Sequence, residues 1–287
     1  MASHRLAGEK SLALAHTWDT RYLVDRPPNR WGQKRVSCNS CINGHSNIFS
    51  SLSKHHKARL PQPGSIIACS YTSPLDALYL AAIFDPVFTA SYPSTRLVEP
   101  ISLLQAMFRA LQHPQDRPSK DAKLTDLGSL IQRSPHQAIV VFPECTTTNG
   151  RGILPFSPSL LTAPIKAKIF PISLRYTIPD ITTPVPGTYL AFLWNLLSEP
   201  THCIRVRIAE SVYNQKGVQN DAFRAERTSS SETLLGSEDG EGMTASERRV
   251  LDRVADALAR LGRVKRVGLG VTDKQGFVKA YAKAKSR

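Results

Sequence analysis

A chain of 287 residues, 41% of them hydrophobic, can fold as one large domain or two small ones and is too apolar to be disordered throughout. Its formal net charge of +14 is carried by the flanks: residues 1–60 hold ten Lys and Arg against three acids and residues 244–287 hold twelve against four, which leaves 61–243 at fifteen against sixteen. Such flanks suit any polyanion, whether anionic lipid head groups, a phosphorylated substrate or nucleic acid, and charge alone does not choose among them.

Residues 1–60 mix Arg, Pro, Asn, Ser and Cys with no sustained hydrophobic period, which predicts a poorly ordered segment. Cys38 and Cys41, followed by His45, His55 and His56, have the look of half a zinc site, but no second CxxC follows and no metal is expected. The five cysteines, Cys38, Cys41, Cys69, Cys145 and Cys203, are read as free thiols in a reducing compartment, since no secretory signal pattern is present.

From Gly64 the pattern changes. "GSIIACS" predicts a short buried strand, and Ser73-Pro74-Leu75-Asp76 supplies an N-cap, a proline at the first helical position and an acid at the third. The helix ends at Asp85-Pro86 and "PVFTAS" follows as a strand. Pro100 is expected to open a second helix, packed through Ile101, Leu104, Met107, Phe108 and Leu111. A surface loop, a short helix "LTDLGSLIQRS" and the continuous apolar strand "QAIVVF" come next. Beyond the loop "PECTTTNGRGILPF" lie the strand "AKIFPISLRYT", an apolar segment at 189–197 too short to span a bilayer and therefore buried or interfacial, and an alternating strand "HCIRVRIAESV". Residues 214–243 read as a polar, acidic loop. Residues 244–262 form an amphipathic helix opened by a Thr-Ala-Ser-Glu capping box, followed by a basic tail. Strand alternating with helix implies an α/β fold, a mixed sheet flanked by helices, as a single domain. The boundaries are an irregular basic segment at 1–60, a domain at 61–213, a loop at 214–243, and the helix and tail at 244–287 completing the domain.

Two turns at strand ends, residues 70–76 and 142–152, hold the candidate chemistry, because α/β folds place sites at the carboxyl ends of their strands. The second, "VVFPECTTTNGRG", offers hydroxyls and backbone N–H groups with Arg151 beside them. From the residues alone it is either a phosphate cradle or an ordinary tight turn in which Glu144 caps a backbone group.

"FPECTTTNGRG" resembles the Phe-Pro-Glu-Gly-Thr signature of the glycerolipid acyltransferases, in particular the lysophosphatidic acid (1-acylglycerol-3-phosphate) type. "SYTSPLD" stands where that family carries Asn-His-x-Ser-x-x-Asp, and "IFPISLRYT" is similar to its later apolar strand. The resemblance implies transfer of a fatty acyl group from acyl-CoA, a co-substrate with no further cofactor, to the free hydroxyl of a lysophospholipid. It carries Asp76 over as the aspartate that orients the base, with Tyr71 at the histidine position, Ser70 at the asparagine and Ser73 at the motif serine. Glu144 and Thr146, with Arg151 nearby, fall where the glycerol phosphate is held, and Cys145 replaces the glycine. Arg96 is the candidate for the family's arginine by order alone.

Tyr71 is the serious departure. A phenol with an ordinary pKa near 10 stays protonated at neutral pH, and a neighbouring Asp76 carboxylate raises it further, so Tyr71 is a poor general base. Two functions follow from the resemblance: an acyltransferase acting on lysophosphatidic acid, or a catalytically impaired relative that binds lipid as a scaffold. In the first, Tyr71, Asp76 and Glu144 are expected to line one cleft. The protein is expected to lie peripherally on a membrane surface, at the cytoplasmic face of the endoplasmic reticulum or on lipid droplets. No nucleic-acid motif is present, and nucleic acid is not expected as a partner.

Overall fold

A computed structural model describes residues 60–177, 181–199, 202–214 and 243–285. The expected irregular N-terminus, its Cys and His residues, and nearly all of the 214–243 loop therefore lie outside the described residues.

The strands are β1 (Ile66–Cys69), β2 (Val87–Ala90), β3 (Glu99–Ile101), β4 (Ile139–Val141), β5 (Gly152–Ile153), β6 (Lys168–Tyr176), β7 (Ile204–Ile208), β8 (Val212–Tyr213) and β9 (Lys265–Arg266). The helices are α1 (Pro74–Phe84), α2 (Leu103–Leu111), α3 (Leu127–Arg133), α4 (Tyr189–Ser198), α5 (Ala245–Gly262) and α6 (Val271–Lys285), with a 3₁₀ turn at Pro158–Thr162. One mixed sheet runs β3-β2-β4-β1-β6-β7, with β8 also paired to β6. Strands β2, β4, β1 and β6 are parallel, while β3, β7 and β8 run antiparallel at the margins. Every residue of β1 and β4 is buried, as their unbroken apolar runs require of central strands covered on both faces.

Helices α1, α2 and α4 cover one face through a core containing Ile67, Leu80, Ala106, Ala110 and Val140, with Phe192 and Leu196 packed against it. Helices α3 and α5 and the 3₁₀ turn cover the other through Leu127, Leu130, Leu160, Leu251 and Val254. The α/β fold with a mixed sheet between helical layers is thus as the sequence implied.

Local signals fix several boundaries. Ser73 and Asp76 close a reciprocal capping box at the start of α1, and Asp85 ends it in the left-handed region at φ 42° before Pro86. Thr244 and Glu247 do the same for α5.

Three expectations are corrected. Pro100 opens no helix: it pairs with Thr89 in β3, an edge strand that tolerates a residue lacking an N–H, and Ser102 with Gln105 caps α2 instead. Helix α2 buries its expected apolar stripe only in part: Ile101, just before it, and Met107 pack against the core. Its buried residues are Ala106 and Ala110, whose small side chains let it lie close on α1, while Leu104 and Phe108 are 63% and 60% exposed. The basic tail is not a tail, since Lys265 and Arg266 form β9 against β5 and Val271–Lys285 is helical. Helix α4 has no fully buried residue, and among the described residues no helix is long and apolar enough to cross a membrane.

Candidate functional site

Because β1 and β4 are parallel neighbours, their carboxyl ends deliver both motif turns to the same edge of the sheet. The turns interlock. The Thr148 N–H donates to the Tyr71 carbonyl at 2.8 Å, and Thr183 N–H donates to the Thr72 carbonyl at 2.9 Å. Ser70 ties the end of β1 to β6, its N–H donating to Ile172 O at 3.1 Å and its hydroxyl accepting from Leu174 N at 3.4 Å.

Asp76 is fully buried, and its carboxylate accepts from four donors. Thr72 N–H and Ser73 N–H reach Oδ2 at 2.6 and 2.9 Å, the Thr72 hydroxyl lies at 3.1 Å, and the Tyr176 hydroxyl reaches Oδ1 at 2.6 Å. Burial pushes its pKa up to about 6, and the hydrogen bonds from Tyr176 and the turn hold it from rising further. The Tyr71 side chain turns inward, its ring stacked on Phe142 with centroids 4.3 Å apart and its hydroxyl donating to Ala106 O at 2.9 Å. Its pKa rises far above the usual phenol range, and the main cause is burial, with the Asp76 charge a smaller one.

Glu144 is 1% exposed. Its Oε2 accepts from Leu154 N at 3.1 Å and its Oε1 has no hydrogen-bond partner. Burial pushes its pKa up to about 8, against the lowering effect of the hydrogen bond from the Leu154 N–H, so at neutral pH it is largely the neutral acid. Cys145 adopts φ 59°, the left-handed region that favours glycine, and burial pushes its thiol up to about 12. That backbone angle is the physical reason for a glycine at this place in the resembling signature. Thr146, Thr147 and Thr148 are buried, whereas Arg151 is exposed and its N–H donates to Asn149 Oδ1 at 3.0 Å.

A cavity of about 730 Å³ opens at this turn. It is lined by Glu144 and Cys145, by Ser94, Thr95 and Arg96 from the loop after β2, and by the Gly270–Asp273 start of α6 among others. Of Tyr71, Asp76 and Glu144, only Glu144 lines it, so the expected cleft holding all three is corrected: the first two side chains face the core. Arg96, placed only by order in the sequence, does border the cavity and pairs with Glu247 at 2.8 Å.

Sequence reasoning missed Lys274. It is 1% exposed, its Nζ donates to Thr147 O at 3.2 Å, and burial pushes its pKa down to about 7. The signal was the helical spacing of Val271, Lys274 and Val278, which the density of lysines in this segment obscured.

Residues 51–181 match the protein-family model described as Acyltransferase. This stretch of the chain is similar to the acyltransferase family. It is 27% identical over 222 residues to a protein of Schizosaccharomyces pombe named a candidate lysophosphatidic acid:oleoyl-CoA acyltransferase, a match covering 77% of this chain and 64% of that protein. It is 31% identical over 108 residues to lysophosphatidic acid:oleoyl-CoA acyltransferase 1 of Saccharomyces cerevisiae, covering 37% of this chain and 32% of that one. The chain thus spans less than two thirds of the length of these relatives. No solved structure matches it. Both turns of the site lie inside the stretch matched by that family model, whereas Arg96's partner Glu247 and the α6 wall of the cavity lie beyond it.

Proposed function

We propose that this domain transfers a fatty acyl group from acyl-CoA to the free hydroxyl of lysophosphatidic acid at a membrane surface of the endoplasmic reticulum or of lipid droplets. The observation that carries the reading is the cavity at the second turn, which Glu144 and Arg96 both line. A neutral Glu144 is a hydrogen-bond donor toward a phosphate or glycerol oxygen, and a guanidinium at the same cavity suits a phosphate monoester. In the reaction the acceptor hydroxyl oxygen attacks the thioester carbon, the carbon–sulfur bond breaks, and the hydroxyl proton ends on the departing thiolate as free coenzyme A. Asp76 serves this by holding the first turn rigid: it clamps Thr72 and Ser73 and joins them to β6 through Tyr176.

A second reading, a lipid-binding relative without turnover, is favoured by one specific observation, the sealing of Tyr71 and Asp76 inside the core. The two are separated by incubating purified protein with labelled oleoyl-CoA and lysophosphatidic acid, wild type beside Asp76→Asn. Transfer above the no-protein rate that falls at least tenfold in a folded Asp76→Asn protein supports the enzyme. Saturable lysophosphatidic acid binding with no transfer in either protein supports the scaffold.

A further inference from the structure

Helix α4 is the least supported element of its layer. Phe192 and Leu196 touch the core, but Leu190, Leu193, Trp194 and Leu197, spaced i, i+3, i+4 and i+7, form an outward stripe at 83%, 48%, 74% and 72% exposure. On the same side of the sheet, α2 exposes Leu104 and Phe108 and α1 exposes Leu78. Isolated exposed leucines are ordinary, whereas a stripe of this kind on several elements marks a contact surface.

The charge on this layer tells what the contact is. Helices α1, α2 and α4 together contain two charged residues, the buried Asp76 and the half-buried Arg109. On the opposite face α5 alone carries Glu247, Arg248, Arg249, Asp252, Arg253, Asp256 and Arg260. A protein partner needs about one hydrogen bond per 100–200 Å² of interface. Apart from the Tyr189 hydroxyl and the Trp194 indole N–H, the exposed polar side chains of the three helices are Gln105 and Ser198. Hydrocarbon asks for no hydrogen bonds, and Trp194 on the stripe with Tyr189 at the start of the same helix suit the boundary between acyl chains and head groups.

We infer that the uncharged α1–α2–α4 face, led by the α4 stripe, is a docking surface that seats the protein in the interfacial layer of a phospholipid bilayer. The inference deepens the membrane part of the proposed function and rests on it. Sedimentation with vesicles measures docking without turnover, so its failure is distinguishable from failure of the acyl-transfer reading.

The test uses the full chain and vesicles of phosphatidylcholine with 30% phosphatidylserine. The triple variant Leu190→Gln/Trp194→Gln/Leu197→Gln is compared with wild type and with Ile165→Gln, an exposed apolar residue outside this layer. The triple variant should bind at least tenfold more weakly at both 0.15 and 0.5 M salt, with Ile165→Gln unchanged. Equal binding by the triple variant, or wild-type binding abolished entirely by 0.5 M salt, overturns the proposal. So does a wild-type dimer that the triple variant converts to monomer with vesicle binding intact, since the occupant would then be a second copy. Should the triple variant fail to fold, a Trp18→Phe/Trp31→Phe protein leaves Trp194 as the sole tryptophan. Brominated acyl chains should then quench its fluorescence more than twofold, and no quenching overturns the proposal.

Discussion

Glu144→Gln tests the electrostatics of the site directly. Burial has pushed the Glu144 pKa from its ordinary 4.5 to about 8, so across that interval the folded protein keeps a proton that the unfolded chain has released. The folded state binds more protons there, and stability must fall as pH rises, at about 1.4 kcal/mol per pH unit for one proton. Glutamine copies the neutral acid in shape and cannot ionise, so the variant lacks this slope. Lys274 acts in the opposite sense. Its pKa falls from 10.5 to about 7, so stability is gained as pH rises from the lower value to the higher, and near pH 7 to 8 the two groups mask one another in the wild type. Subtracting the variant from the wild type removes the lysine contribution when the two sites are independent. Between pH 6 and 8 the stability of wild type relative to Glu144→Gln should then fall by about 2 to 3 kcal/mol. Urea unfolding at pH 6, 7, 8 and 9, followed by circular dichroism, measures that difference. A difference that stays constant across the range would mean that Glu144 is already ionised at pH 6, and the neutral-donor role assigned to it would fail.

In Lys274→Met the stability that wild type gains above pH 7 should be missing, a relative change of about 1.4 kcal/mol per pH unit up to pH 10 in thermal or urea unfolding. Tyr71→Phe removes the hydroxyl's bond to the Ala106 carbonyl, which keeps its place in the α2 ladder, and should lower stability by about 0.5–1.5 kcal/mol. Because the phenol faces the core, any acyl transfer should stay within tenfold of wild type at equal folded protein, and a hundredfold loss would give Tyr71 a direct part. Arg96→Met breaks a half-exposed ion pair with Glu247 and should lower stability by less than about 1 kcal/mol. It should raise the KM for lysophosphatidic acid at least tenfold with kcat little changed, and an unchanged KM removes Arg96 from head-group binding.

What the sequence disclosed was whatever is decided locally. Ser73-Pro74-Leu75-Asp76 and Thr244-Ala245-Ser246-Glu247 carry their caps within four residues, and both helices begin where those residues put them. The buried strands were legible because unbroken apolar runs between turns have few other uses. The misses are tertiary. Pro100 is a reasonable helix opener until β2 is laid beside it, and no local signal announces that pairing. The apolar stripe of α2 gives a period but not which flank meets α1, and two alanines decided it. Lys274 belongs to a lysine-rich stretch that reads as solvated until α6 is docked on the turn at Thr147, 127 positions upstream. At the site, motif order recovered which residues share the edge of the sheet. It said nothing about which way Tyr71 and Asp76 turn.

That direction bears on what a histidine at position 71 would find. A carboxylate has about four acceptor positions, and those of Asp76 face two turn N–H groups, the Thr72 hydroxyl and the Tyr176 hydroxyl. An orienting aspartate needs an acceptor position open toward the base, so the place a base would take is occupied by Tyr176. Tyr71 and Tyr176 thus act as a pair: one ring leaves the histidine position for the core, and the other fills the carboxylate that a histidine would use. The cavity beside Glu144 is walled by Arg96 together with two carboxylates, Asp116 and Asp273, so on the proposed reading a phosphorylated acceptor is held from the Arg96 side while its hydroxyl proton leaves with the thiolate.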